Sequence, residues 1–264
     1  MKFAMDFCST SILRPNILEQ CYLSFQKNLV DIDLKECRLF LNIDCVPNTQ
    51  SLWAWGNGAA WPYTPKDNIA VAERFFGSVV TRIESKRPSL HKAINWMWSQ
   101  VESRYVFFLE DDWKLLRPVS VMDILDKFKS KKLQQVRLRW EPDEFYRRGR
   151  TLTYGLAPSV CRKFFCKHYV NKIKRVKYCN PERFLKKHNP SPGRKVLLYP
   201  DSGQTVIDIG CDWKQDNKLW VRVSVDNGQW IRKDTYTKRC KEWWLKRSKL
   251  KNKYTPDVIM KEKT

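Results

Sequence analysis

The 264-residue chain is 42% hydrophobic, contains 12 Trp, 10 Tyr and 13 Phe, and carries a formal charge of +22. That stock of core-forming side chains suits a large globular domain and excludes a disordered tail. No run reaches the roughly 18 apolar residues a membrane span needs, and Asp6 arrives before a signal-peptide core can develop. A soluble, cytoplasmic protein is expected, in the host cytoplasm if the chain is viral.

In chain order, "KFAMDFC" (2–8) reads as a buried strand, with Ser9, Thr10 and Arg14 in the loop behind it. Pro15 then takes a first-turn position in a helix that sets Leu18, Cys21, Tyr22, Phe25 and Leu29 on one face. "CRLFLNID" (37–44) is the next strand and ends on Asp44. Residues 53–68 are punctuated by Gly and Pro and read as an aromatic loop. "PSLHKAINWMWSQVESR" (88–104) is a helix that delivers the chain into strand "YVFFL" (105–109). A helix over 119–130 and a strand over 135–140 follow. This alternation predicts an α/β fold, a mostly parallel sheet with helices on both faces. Ligands of such sheets sit beyond the carboxyl ends of the strands. Three loops, bearing Thr10 and Arg14, Asp44, and Glu110 to Asp112, therefore converge on one rim.

Glu110, Asp111 and Asp112 are three consecutive carboxylates at the end of an apolar strand. Their mutual repulsion calls for water, a helix N-terminus, a nearby Lys or Arg, or a metal ion. Mn2+ or Mg2+ takes one or two carboxylates together with phosphate oxygens. In an extended turn Glu110 and Asp112 would point one way and Asp111 across. Such a trio can also cap a helix, here one starting near Pro118.

The charge is uneven: residues 161–264 carry +17 and residues 1–160 only +5. In 161–188 ten bases face one acid, Glu182, and in 230–254 ten bases interleave with Trp and Tyr. One such run is commonly a solvated face; two with interspersed aromatics favour a polyanionic partner. The nine cysteines are scattered without a CxxC pair and suit reduced thiols. Cys161, Cys166, His168 and Cys179 offer a Cys3His set for zinc, but the spacing fits no common finger and the apolar neighbours explain burial equally well.

"ESRYVFFLEDDWKLL" resembles the DXD-type donor site of GT-A glycosyltransferases, here in an EDD form. "STSILRPNILEQCYLSFQKNL" with "RLFLNID" resembles the opening of the GT-A nucleotide-binding half, and "YGLAPSVCRKFF", "NPERF" and "VIDIGCDWKQDNKLW" resemble downstream segments of small phage and bacterial glycosyltransferases. The resemblance implies a Rossmann-like GT-A sheet in a single domain. Residues 1–150 would form its nucleotide-sugar half, 151–230 its acceptor half and 231–264 a basic aromatic tail. It also implies a nucleotide-sugar donor, a UDP-sugar first, with Mn2+ or Mg2+. Asp112 would ligate the metal, Glu110 would reach it through water or touch the ribose, and Asp111 would orient the donor. Thr10, Arg14 and Asp44 match the nucleoside-binding rim. Glu110 stands where the family's motif often begins with Asp.

Inversion at the sugar needs a carboxylate base. Glu182 falls in the segment that bears it in the family, with Glu141, Asp143 and Glu144 in reserve; Glu182 can equally pair with a neighbouring base or sit in a helix first turn. Asp208, with Gly210 permitting a sharp turn, would complete the metal site, hold the sugar or cap a turn. A basic acceptor half suits DNA carrying a hydroxymethylated pyrimidine, as in phage DNA modification. A glycan acceptor at an anionic membrane surface is the alternative, and a non-catalytic nucleic-acid-binding module a further one.

Overall fold

The computed structural model describes residues 4–45, 62–85, 88–140, 154–173, 181–187, 195–210, 220–223 and 229–232. The first half runs β1 (Asp6–Ile12), α1 (Pro15–Asn28), β2 (Leu29–Val30), β3 (Arg38–Asp44), α2 (Pro65–Phe75), β4 (Ser78–Glu84) and α3 (Leu90–Gln100). Next come β5 (Tyr105–Glu110), β6 (Trp113–Leu115), β7 (Val119–Ser120), α4 (Val121–Lys127) and β8 (Leu133–Leu138). β9 (Ser159–Arg162), α5 (Lys163–Ile173), α6 (Pro181–Lys187), β10 (Lys195–Tyr199) and β11 (Val206–Asp208) follow, before a hairpin of Trp220–Val223 and Gln229–Arg232.

The main sheet has seven strands in the order β10-β8-β9-β5-β1-β3-β4. Every pairing is parallel except the two made by β9, which runs against both β5 and β8. Strand alternation sends Phe7, Leu39 and Phe107 to one face, against Leu18, Tyr22 and Phe25 of α1 and Val71 and Phe75 of α2. Cys8, Phe40 and Phe108 go to the other, against Met97 and Trp98 of α3 and Phe165 and Tyr169 of α5. The rings of Phe7 and Phe107 stack at 5.0 Å across β1 and β5, and Trp98 meets Tyr169 edge-on at 4.8 Å. Two apolar layers thus clamp the central strands and hold their carboxyl ends rigidly in register.

The alternating α/β pattern holds, with shifts that have physical causes. β1 is displaced from 2–8 to Asp6–Ile12 because Ser9 and Ser11, polar enough to read as a strand end, are buried within it. Thr10 is therefore a strand residue, paired with Glu110, and not part of a loop. The stretch read as loop through 68 already holds the first turn of α2, fixed by a capping box between Thr64 and Asp67. α2 puts the polar Asn68 on its buried face, and β4 is a half-exposed edge strand in which Thr81 parts Val79 from Ile83, so neither shows a strong apolar pattern. The buried Gln134 likewise hid the start of β8, which begins at Leu133 rather than at 135.

Candidate active site

The acidic trio meets an arginine from the neighbouring loop. Arg14 joins β1 to α1, is 3% exposed, and places Nη2 2.5 Å from Asp111 Oδ1 and 2.7 Å from Asp112 Oδ2. Its Nε donates to Asp111 Oδ2 at 2.9 Å, so Asp111 is gripped by two nitrogens of the guanidinium. Asp111 Oδ2 also accepts from Ser11 Oγ at 3.0 Å and from the Ile12 amide at 3.1 Å. Asn68 of α2 completes the shell, donating to Ser11 Oγ and to the Ile12 carbonyl at 2.7 Å each. Burial pushes the Asp111 carboxyl up while Arg14 pulls it down. For Arg14, burial works against the charge, and Asp111 and Asp112 outweigh it, leaving the guanidinium above its usual value.

The expected alternation of the three acids is not what forms. β5 ends at Glu110 and β6 begins at Trp113, so Asp111 and Asp112 occupy a tight turn and both face Arg14. Glu110 turns elsewhere and accepts from Trp113 Nε1 at 3.4 Å. Nor does the trio cap the following helix: α4 starts at Val121, and its N-cap is Ser120, whose Oγ accepts from the Asp123 amide.

The opposite wall comes from the second half of the chain. β11 pairs antiparallel with β6, setting Asp208 across from Trp113, and the Ile209 amide donates to the Asp112 carbonyl at 2.8 Å. Asp208 Oδ1 accepts from the Gly210 amide at 2.8 Å, the turn-capping role open to it from sequence. Arg117 and Arg139 fasten the preceding loop by donating to the carbonyls of Ser202 and Gly203 and of Pro200 and Asp201. The exposed Trp140 packs edge-on against Trp113 at 6.0 Å beside this wall.

One strand over, Asp44 ends β3 and is buried. Asn42 Nδ2 donates to its Oδ1 at 3.0 Å, while Arg82 is committed to Asn42 Oδ1 at 2.6 Å and to Glu84 at 2.8 Å. Burial drives Asp44 up to about 7, against the Asn42 hydrogen bond and the Arg82 charge that favour ionisation. Asp44 therefore titrates near neutrality.

Glu182 lies in the first turn of α6 and accepts from the Leu156 amide at 3.3 Å. Leu156 precedes Ser159, which pairs with Phe108 of β5 and Arg137 of β8. Because β9 is reversed, its entrance lies at the carboxyl ends of its neighbours, on the rim that bears Glu110. Gln135 holds this entrance from below, donating to the Gly155 carbonyl at 2.7 Å and accepting from its amide at 3.2 Å.

Among the described residues no three metal-ligating side chains stand together. Glu110 and Asp112 are hard oxygen donors, and a Mg2+ or Mn2+ ion needs only one or two of these when phosphates supply the rest. By oxygen chemistry the pair suits such an ion, with Glu110 turned toward Trp113 and Asp112 toward Arg14. Cys161 and Cys166 are buried free thiols in the core cluster around Trp98, and burial pushes Cys166 up. Cys179, Glu141, Asp143, Glu144 and the tail 233–264 lie outside the described residues. Ser11, Asn42, Asn68, Arg82, Arg117 and Arg139 were not singled out from sequence; isolated Ser, Asn and Arg residues carry no motif.

No sequence-family profile matches the chain, and no curated protein does. Among solved structures it is similar to the mannosyltransferase PcManGT of Pyrobaculum calidifontis, determined in complex with GDP-Man and Mn2+. That match has a TM-score of 0.56 and 10% identity and covers 81% of this chain and 61% of that one. The chain is also similar to residues 1–349 of S. aureus TarS, with a TM-score of 0.52, 13% identity, and coverage of 80% and 63%. It thus spans less than two thirds of either structure, and what it shares with them is the GT-A fold.

Proposed function

We propose that this protein is a glycosyltransferase that uses a nucleotide-sugar donor and a divalent cation. The observation that carries the reading is the place of the Arg14–Asp111–Asp112 cluster. It stands at the carboxyl ends of β1 and β5 in a GT-A fold, where such sheets receive ligands. The GDP-Man and Mn2+ bound by the similar mannosyltransferase support the same classes of donor and cation here. A UDP-sugar is the first donor to test.

Asp112 and Glu110 would hold the cation, which when bound supplies positive charge to a departing diphosphate. Asp111 orients the donor indirectly, by fixing Arg14. Thr10, Arg14 and Asp44 line the nucleoside side, and Asp208 braces the sugar side. Glu182 is the base. Its carboxylate takes the proton of the acceptor hydroxyl as that oxygen bonds to the anomeric carbon and the bond to the diphosphate breaks with inversion. The +17 charge of residues 161–264 supports a polyanionic acceptor. DNA with a hydroxymethylated pyrimidine fits best, its base drawn from the stack to present the hydroxyl.

A thermal-shift panel of UDP-, GDP- and ADP-sugars with and without Mn2+ tests the donor. Stabilisation that depends on metal and disappears in Asp112→Ala is expected; no shift across the panel overturns the enzyme reading. Asp112→Ala should also lower kcat about 10²- to 10³-fold. Glu182→Gln should lower kcat about 10²- to 10⁴-fold and change Tm little, since Gln keeps an acceptor oxygen for the Leu156 amide and the position is exposed. Transfer of labelled sugar to hydroxymethylated but not plain DNA supports the acceptor. Transfer to a glycan alone replaces it.

A further inference from the structure

Asp112 is held from two sides. Arg14 Nη2 lies 2.7 Å from its Oδ2 on one side. On the other lies Gly210, in the segment that the second half of the chain lays against β6. A Cβ built on Gly210 would fall 2.2 Å from that same Oδ2, 2.7 Å from Asp112 Cβ and 2.8 Å from Cγ. All three distances are shorter than carbon and oxygen atoms tolerate. The backbone gives no reason for glycine: Gly203 has a φ of +74°, whereas Gly210 lies outside the left-handed range. The turn expected here is present, capped by Asp208, but it is space and not a left-handed backbone that requires glycine at 210.

The segment is not free to retreat. The Ile209 amide donates to the Asp112 carbonyl, β11 is paired along β6, and the Thr205 and Val206 amides donate to the Arg139 carbonyl. A side chain at 210 must therefore move Asp112, and moving Oδ2 breaks its contact with Arg14.

We propose that Gly210 is a positioning residue for Asp112: its bare Cα is the wall against which the carboxylate is set in the orientation used for the cation. The inference rests on the reading of Asp112 as a cation ligand, and it joins the C-terminal segment to donor binding rather than to the acceptor alone. Gly210 acts through Asp112 and touches no reacting atom.

The test pairs binding with unfolding. Gly210→Ala should raise the Kd for UDP or GDP measured with Mn2+ by about 10- to 100-fold, the usual cost of disturbing a group that orients a metal ligand. Affinity without metal should change little. Gly77→Ala places a Cβ 2.0 Å from the Lys35 carbonyl oxygen at the amino end of β4, so it should lower Tm and leave the metal-dependent Kd alone. In the unfolding cycle, Asp112→Gly removes all three atoms that the new methyl would strike, so Gly210→Ala should destabilise the native chain but not the Asp112→Gly chain. If Gly210→Ala alone does not fold, recovery of folding in the double variant supports the proposal and its failure overturns it. Equal destabilisation in both backgrounds, or wild-type Mn2+-dependent affinity in Gly210→Ala, also overturns it. Absence of Mn2+-dependent nucleotide binding in the wild type would sink the enzyme reading instead, while the unfolding cycle still reports on the contact.

Discussion

Two carboxylate clusters stand on the same rim and meet burial in different ways. Around Asp111 and Asp112 the guanidinium of Arg14, a serine hydroxyl and a backbone amide all aim at the acids, and the negative charge is compensated inside the fold. Around Asp44 the neighbouring Arg82 spends its nitrogens on Asn42 and Glu84, and burial raises the carboxyl, as it also does that of Asp111. Both clusters combine two acids with one arginine, so composition does not separate them. What separates them is whether the arginine points at the buried acid or past it. The first acid is gripped by an opposing charge, and the second is raised to about 7 chiefly by its burial.

The sharpest way to break this contrast is to remove the compensating cation. Arg14→Met leaves Asp111 and Asp112 buried without it and should cost about 3–5 kcal/mol in urea unfolding. A loss below about 1 kcal/mol, the range of a surface pair, would mean that the cluster is not buried in solution.

Asp44 offers the complementary test. Its carboxyl is near 3.8 in the unfolded chain and about 7 when folded. Below the lower value both states hold the proton and pH has no effect through this group. Between the two values the unfolded chain releases a proton that the folded chain keeps, so stability falls as pH rises, and it is level above the upper value. Asp44→Asn should flatten that decline, gaining on the wild type by at most about 1.4 kcal/mol per pH unit across the window. Urea midpoints at pH 4, 6 and 8 would show it, and parallel curves would refute it. The smallest effect belongs to Ser11→Ala, which removes one of the donors to Asp111 and should cost about 1.5 kcal/mol.

How much of this was legible in the sequence depends on whether a feature is local. β3, α1 and β5 announce themselves through runs such as "RLFLNID" and "YVFFL", because apolar periodicity is written into neighbouring residues. The acidic trio was visible for the same reason. Arg14 was placed on the rim but not as the partner of Asp111, since 97 residues separate the two and only the β1–β5 pairing brings them together. Asn68 and Gly210 were further from reach. One works through a serine hydroxyl and the other through the volume it does not fill, and neither leaves a pattern in the chain.

The reversed strand β9 has a consequence for how such a protein can diversify. It comes from the second half of the chain yet lies between β5 and β8 of the first, hydrogen-bonded to both. A cut near residue 150 would open the sheet next to the strand that carries the acids, so neither piece would inherit an intact scaffold. Recombination that trades whole halves between relatives is closed to this architecture. Variation that keeps this fold is confined to substitutions and loop insertions around a sheet that stays whole.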